Sequence, residues 1–197
     1  MNKYLGPKNK ISKKFNFPIF GKMVRKPKNL GYIKRRKFIN ISQYNTQLLE
    51  KQKLKYLYGL SEKQLKKTVL LVKKNNSNLI VNCELRLDNI VYRLGFCKSR
   101  RQSRQIINHK HILLNNKIIN IPSYKVKIND KISLNKKIIK NIYILQNIQN
   151  IKSSPKIYNW LLYDVDYLSG YLKSLPNIDY ILEKRINTSL IMEFYSK

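Results

Sequence analysis

"RLDNIVYRLGFCKSRRQSRQIINHKHILLNNKIINI", residues 86–121, is the stretch whose reading decides the fold. Leu87, Ile90, Val91 and Leu94 recur at steps of three and four, continuing a series begun by Ile80 and Cys83. That spacing predicts one amphipathic helix or two abutting ones. Gly95 followed by Phe96 suits a helix C-terminus, glycine taking the left-handed position while the next residue packs back. Ser99 with Gln102 is a capping box that opens a second helix. Its Ser103, Ile106 and Ile107 form a core face, and Arg100, Arg101, Arg104, Gln105 and Asn108 occupy the rest. "HILLNNKIINI" then places two apolar runs around Asn115 and Asn116, and asparagine tolerates the positive φ of a two-residue hairpin turn.

Working outward, "IPSYKVKINDKISL" predicts two more short strands around Asn129 and Asp130, so residues 85–134 read as two helices on a small twisted sheet with one guanidinium-rich edge. Upstream, "ISQYNTQLLEKQKLKYLYG" predicts a helix over 42–58 stopped by Gly59. Its apolar residues make no clean stripe, as in a helix contacted on several sides or one whose pattern lysine drift has blurred. "SEKQ", residues 61–64, is another capping box, with Leu65, Val69 and Val72 at helical spacing after it. Residues 1–41 hold three of the six prolines and three of the six glycines, excess lysine and no periodic apolar pattern; such a segment orders on a partner. Downstream, "NWLLYDVDYLSGYLKSLP" predicts further strands, and "INTSLIMEFYSK" a helix or tail.

The formal net charge is +31 over 197 residues, a self-repulsion that a polyanion relieves. It is uneven: +13 over residues 1–49, which hold no acid, +19 over 50–157 and −1 over 158–197. No run nears the roughly 18 apolar residues of a membrane span, so nucleic acid is the expected partner and a membrane is not. The chain has no alanine, 32 lysines against 9 arginines, 26 isoleucines and 23 asparagines. These are the marks of AT-rich coding, as in an organelle or a reduced bacterium, and the arginines were kept against that drift. The opening "MNKYLGPKNK" has neither an apolar signal region nor transit-peptide character, so the protein is expected to act where it is made.

Cys83 and Cys97 form no metal-ligand or redox spacing and read as small buried hydrophobes. His109 and His111 would share a strand face, but two ligands do not make a catalytic metal site, and no third is in view. No metal, no cofactor and no catalytic residue are expected. Arg86 and Arg93 could contact RNA or pair with Glu84 or Asp88; Asp88, near a helix start, suits a structural role. Tyr44 could stack on a base or ribose, although a helix tyrosine more often packs.

The stretch "RLDNIVYRLGF", with "SRRQSRQIINHKHILLNNKIINIPSYKVKINDKISL" after it, resembles the RNA-binding fold of the S-four family of small-subunit ribosomal proteins. "YLGP", "QLLEKQKLKYLYGLSEKQ" (residues 47–64), "NWLLYD" and the terminal "LIMEFYSK" resemble other parts of the same family, in order along nearly the whole chain. Asn116 stands where the family favours glycine and Ser103 where alanine is usual. The zinc knuckle of some members is not implied, because no cysteine precedes Cys83. The short N-terminal segment resembles plastid-type members.

The resemblance implies an α+β chain: a helical domain with an inserted small RNA-binding domain of two helices packed on a short twisted β-sheet, and a basic, extended N-terminal segment. The expected divisions are 1–41, a basic segment ordered on RNA; 42–84, the helical domain; 85–150, the inserted RNA-binding domain with its core at 85–134; and 151–197, strands and tail returning to the helical domain. It implies a non-enzymatic constituent of the small subunit that grips a helical junction in the 5′ domain of small-subunit rRNA, nucleates body assembly and supports translational accuracy. Partners would be that rRNA and neighbouring small-subunit proteins, with no homo-oligomer, on an organellar ribosome of plastid, apicoplast-like type. Expected RNA contacts are Lys98, Ser99, Arg100, Arg101, Arg104, Gln105 and Asn108, with Arg25, Arg35, Arg36, Tyr44, Lys51 and Lys55 from the N-terminal part. Arginine suits phosphate because its planar fork bonds two oxygens at once.

Two rival readings stand beside this one. "RLDN" resembles the Arg-Leu-Asp of pseudouridine synthases, in which Asp88 would be the nucleophile; here no Thr-Ser-Gly follows and the remaining chain is too short for that catalytic domain. A free-standing RNA chaperone or stalled-ribosome factor would need only the inserted domain, and the matched flanks argue against it.

Overall fold

A computed structural model describes residues 6–15, 19–20, 42–139, 141–153, 158–164, 168–177 and 186–196. The chain divides into two compact units: Met1–Leu70 with Arg185–Lys197, and Leu71–Lys184 between them in sequence. Among the described residues no helix is long and apolar enough to cross a membrane.

In the first unit, α1 (Lys8–Lys14) is a short helix within the segment expected to be extended, and Phe15 after it faces the Tyr56 ring at 6.1 Å. α2 (Gln43–Tyr58) starts at the Ser42 cap and stops at Gly59, whose φ is 60°. α3 (Glu62–Asn75), whose residues after Leu70 fall in the second unit, opens with the reciprocal box: Ser61 N–H donates to Gln64 Oε1 at 3.1 Å and Gln64 N–H to Ser61 Oγ at 3.2 Å. The C-terminal α9 (Thr188–Phe194) lies on α2. That contact includes polar ties: Gln47 Nε2 donates to Glu193 and the Asn187 N–H to Glu50. The α2 stripe is therefore broken because part of the buried face is made of Gln47, Lys51 and Lys53 rather than aliphatic side chains.

After the end of α3, the second unit continues with the two abutting helices, α4 (Leu79–Glu84) and α5 (Leu87–Arg93), then Gly95 at φ 84° and α6 (Arg100–Asn108). β1 (Ile112–Leu114) and β2 (Lys117–Ile119) form the expected hairpin, with Asn115 and Asn116 at φ 49° and 64°. β3 (Lys131–Leu134), α7 (Lys136–Ile139), α8 (Ile142–Ser153), β4 (Leu161–Asp164) and β5 (Ser169–Leu172) follow. The sheet is five-stranded in the order β2-β1-β3-β5-β4, antiparallel throughout. Its inner residues Ile112, Ile132 and Leu172 meet Leu87, Ile90, Phe96, Ile107 and Trp160 in one core.

Two expectations change here. Only one ladder strand, β3, forms where two were expected around Asn129 and Asp130. The segment before it instead crosses to the start of α5, which has no side-chain cap. Leu87 N–H donates to Tyr124 O at 2.9 Å and Asp88 N–H to Pro122 O at 3.0 Å, supplying acceptors to otherwise orphaned helix amides. The strands after residue 151 do not return to the helical unit: β5 pairs with β3, whose second edge would otherwise be open, and the first unit resumes only at Arg185.

Candidate nucleic-acid interface

α6 owes its orientation to two buried carboxylates beneath it. Asp88 accepts from Arg86 through Nε at 3.1 Å and Nη2 at 2.8 Å, and from Arg104 Nε at 2.6 Å. The Ser103 hydroxyl, fully buried, donates to the Asp88 carbonyl at 2.6 Å, so serine in place of alanine adds a tie between α5 and α6. Glu84 accepts from Arg93 through Nε at 3.0 Å and Nη2 at 2.8 Å, and Arg93 Nη1 donates to the Tyr158 hydroxyl at 3.1 Å. Buried charges persist only when so paired, since an isolated one is strongly unfavourable.

One of the expected contacts lies on the buried side of α6. Arg104 is 8% exposed and serves Asp88, so it braces the helix from below. Arg86 and Arg93 resolve the same way, as structural partners of Asp88 and Glu84. Ser99 is exposed but caps the helix, accepting from the Gln102 N–H at 3.3 Å. The box is offset by one residue, because Gln102 Oε1 accepts from the Lys98 N–H at 2.9 Å rather than from Ser99.

What α6 presents outward is Arg101, Gln105 and Asn108, all exposed and spaced to share one stripe, with Lys98 beside its start. Arg100 is half-buried: its Nε donates to Asn89 Oδ1 at 2.7 Å and its guanidinium lies 4.7 Å from the centre of the Tyr92 ring. Two arginines therefore occupy the first turn of a helix with no acid there, at the end where the backbone dipole is already positive. An anion seated on that end would relieve the repulsion. Lys110, exposed just past the helix at φ 62°, extends the basic surface, and sequence reasoning passed over it by discounting lysines. Asn89 and Tyr92 were also missed; their only signal was a spacing of three on a helix ending near Arg100.

In the first unit the expected contacts fare differently. Lys51 is 7% exposed, bonded to Glu62 at 3.0 Å, with its ammonium 4.1 Å from the Phe194 ring centre, so it is a packing residue and not a surface cation. Lys55 joins the same carboxylate at 3.2 Å. Partial burial pulls the Glu62 carboxyl upward, but bonds from the Tyr195 hydroxyl, Lys51 and Lys55 outweigh it and hold the pKa at about 2. The Tyr195 hydroxyl is raised by burial and by its bond to that carboxylate. Tyr44 is 56% exposed with its ring 5.6 Å from Phe194, so one edge packs and much of the ring is open. Arg25, Arg35 and Arg36 lie outside the described residues.

Comparison with known proteins matches residues 3–84 to the model for the ribosomal protein S4/S9 N-terminal domain and residues 85–132 to the S4 domain. Among similar proteins, each named small ribosomal subunit protein uS4, that of Amoebophilus asiaticus (strain 5a2) is 42% identical over 207 residues, covering both chains completely. Those of Karelsulcia muelleri (strain GWSS) and Aquifex aeolicus (strain VF5) are 41% and 40% identical, again over the whole of both chains. The chain belongs to the uS4 family. This is a family of structural ribosomal proteins, so the enzymatic rival falls. The geometry agrees, because Asp88 is sealed between two guanidinium groups and is not placed to act as a nucleophile. The S4-domain match ends inside β3, and β4 and β5, from beyond it, complete the sheet.

Proposed function

We propose that this chain is a structural constituent of the small ribosomal subunit that binds a helical junction in the 5′ domain of small-subunit rRNA, nucleates assembly of the subunit body and supports translational accuracy. What carries the proposal is α6: an exposed stripe of Arg101, Gln105 and Asn108 beside Lys98 and Arg100, on a helix fixed from beneath by buried ion pairs. A-form RNA hides its base edges in a deep groove, so a junction is recognised by shape, phosphates and 2′-hydroxyls, which rigid cationic and amide side chains suit. The grip comprises Lys98, Ser99, Arg100, Arg101, Gln105 and Asn108, with Arg25, Arg35 and Arg36 contributing from the basic N-terminal segment. Tyr44 offers a stacking face. Neighbouring small-subunit proteins are the other partners, and the AT-rich composition supports an organellar, plastid-type ribosome.

The test is a titration of the full chain against a transcript of its cognate 5′-domain junction and a scrambled RNA of equal length, at several salt concentrations. The junction should stay preferred at high salt. Lys98→Ala, Arg101→Ala and Gln105→Ala together should weaken junction binding by about tenfold or more with the thermal midpoint unchanged. Equal binding of the two RNAs by the wild-type chain would reduce its charge to unspecific attraction and overturn the proposal.

A further inference from the structure

Beneath Arg100 lies a polar relay that RNA binding alone does not require. Asn89 is 1% exposed, and its amide stands between a buried anion and a half-buried cation. Nδ2 donates to Glu84 Oε2 and to the Glu84 carbonyl, while Oδ1 accepts from Arg100 Nε at 2.7 Å. The amide has only one sensible orientation. Reversed, it would set its NH2 against the guanidinium and its oxygen against the carboxylate. Glu84 is itself held by Arg93, which Tyr158 receives in turn, so the relay is anchored in the core of the unit. On a second side the Arg100 guanidinium lies on the Tyr92 ring.

From these contacts we infer that Asn89 is a positioning residue for RNA recognition, acting with Tyr92 through Arg100. The inference rests on α6 being the RNA grip. An arginine at an exposed helix start samples many rotamers, and ordering it on binding costs free energy. Here the hydrogen bond at Nε fixes rotation of the guanidinium in its plane, and the ring fixes the plane itself. Held at Nε and on one face, the guanidinium is set in advance to present its plane and charge to an RNA phosphate in one orientation. Lysine at position 100 would keep the charge and lose the arrangement, because an ammonium has neither the planar face nor the Nε donor.

A double-mutant cycle on the full chain separates positioning from general support of the fold. The probe is a transcript of the cognate small-subunit rRNA 5′ domain, at fixed salt, with Asn89→Leu, Arg100→Ala and the double variant compared with wild type. Asn89→Leu keeps the volume and removes the acceptor, and should weaken binding about three- to tenfold in the wild-type background. In the Arg100→Ala background it should add nothing. Tyr92→Leu, at a half-buried position, runs the same cycle and keeps the test decisive if Asn89→Leu does not fold. Equal penalties with and without Arg100 would mean a structural role only and overturn the inference, as would wild-type affinity in both Asn89→Leu and Tyr92→Leu. If Arg100→Ala itself binds like wild type, the assignment of α6 as the grip fails, and the relay with it.

Discussion

Asp88 receives Arg86 from two positions before it and Arg104 from the next helix, and that arrangement separates two reasons for an arginine to persist. In a chain whose codons drift toward lysine, nine arginines remain, and of those Arg86, Arg93 and Arg104 sit in buried ion pairs. Guanidinium keeps its charge when desolvated and bonds a carboxylate through a fork, so burial selects for it as strongly as phosphate does. Retention was legible in the sequence; the direction each side chain faces was not. Glu62 makes a prediction at the same scale. Its folded pKa of about 2 lies below the ordinary 4.5, so its stabilising contribution is complete above pH 4.5 and is lost as pH falls toward 2. Glu62→Gln should lower the thermal midpoint at pH 7 by about 2–4 °C and flatten its decline over that acid window, the effect being small because the carboxylate is nearly half exposed and solvent screens it. Thermal melts of both proteins from pH 7 to pH 2 check this.

At the scale of elements, starts and stops were read well because capping is local: Ser42, Ser61, Ser99, Gly59 and Gly95 act within a few residues of themselves. Strand partners were read poorly. The bonds from Leu87 and Asp88 to Tyr124 and Pro122 join residues more than thirty apart, and nothing in the local pattern around 121–128 distinguishes that crossing from a ladder. β5 makes the same point. At Gly170 a Cβ would stand 2.5 Å from Leu94 Cδ2, 2.9 Å from Leu94 Cδ1 and 3.2 Å from the Leu162 carbonyl, so the strand approaches the end of α5 more closely than a side chain allows. Gly170→Ala should cost about 1–3 kcal/mol by displacing the buried Leu94, measured by denaturant unfolding. An unchanged midpoint would mean that Leu94 repacks freely.

Across the whole molecule, charge and packing follow different divisions. Residues 158–197 carry −1, yet they are shared: β4 and β5 close the sheet of the second unit, and α9 packs on α2 in the first. The cations concentrate in the rest, and on RNA each neutralised phosphate releases counterions. If Arg25, Arg35 and Arg36 each meet a phosphate, replacing all three by alanine should reduce the slope of log affinity against log salt by about 2–3. The junction and scrambled RNAs titrated over a salt series measure it. An unchanged slope would place the arginines off the RNA. Cys83 and Cys97, buried in the second unit with their thiols pushed up to about 12 by burial, should stay unreactive to thiol reagents at pH 8 until the chain unfolds. Reagent uptake before and after denaturation counts them.

By itself the sequence determined α2 to α6, the Asn115–Asn116 hairpin, the excess of cations and the family, because each is written in neighbouring residues or in collinear motifs. Only the tertiary structure decided that Arg104 and Lys51 serve buried or partly buried carboxylates, that β5 rather than a local partner covers the second edge of β3, and that Asn89 reaches Arg100. The physical reason is common to all three. Pairing a desolvated charge, closing a sheet edge and seating a buried amide depend on groups carried by different elements, and no local pattern records which ones meet.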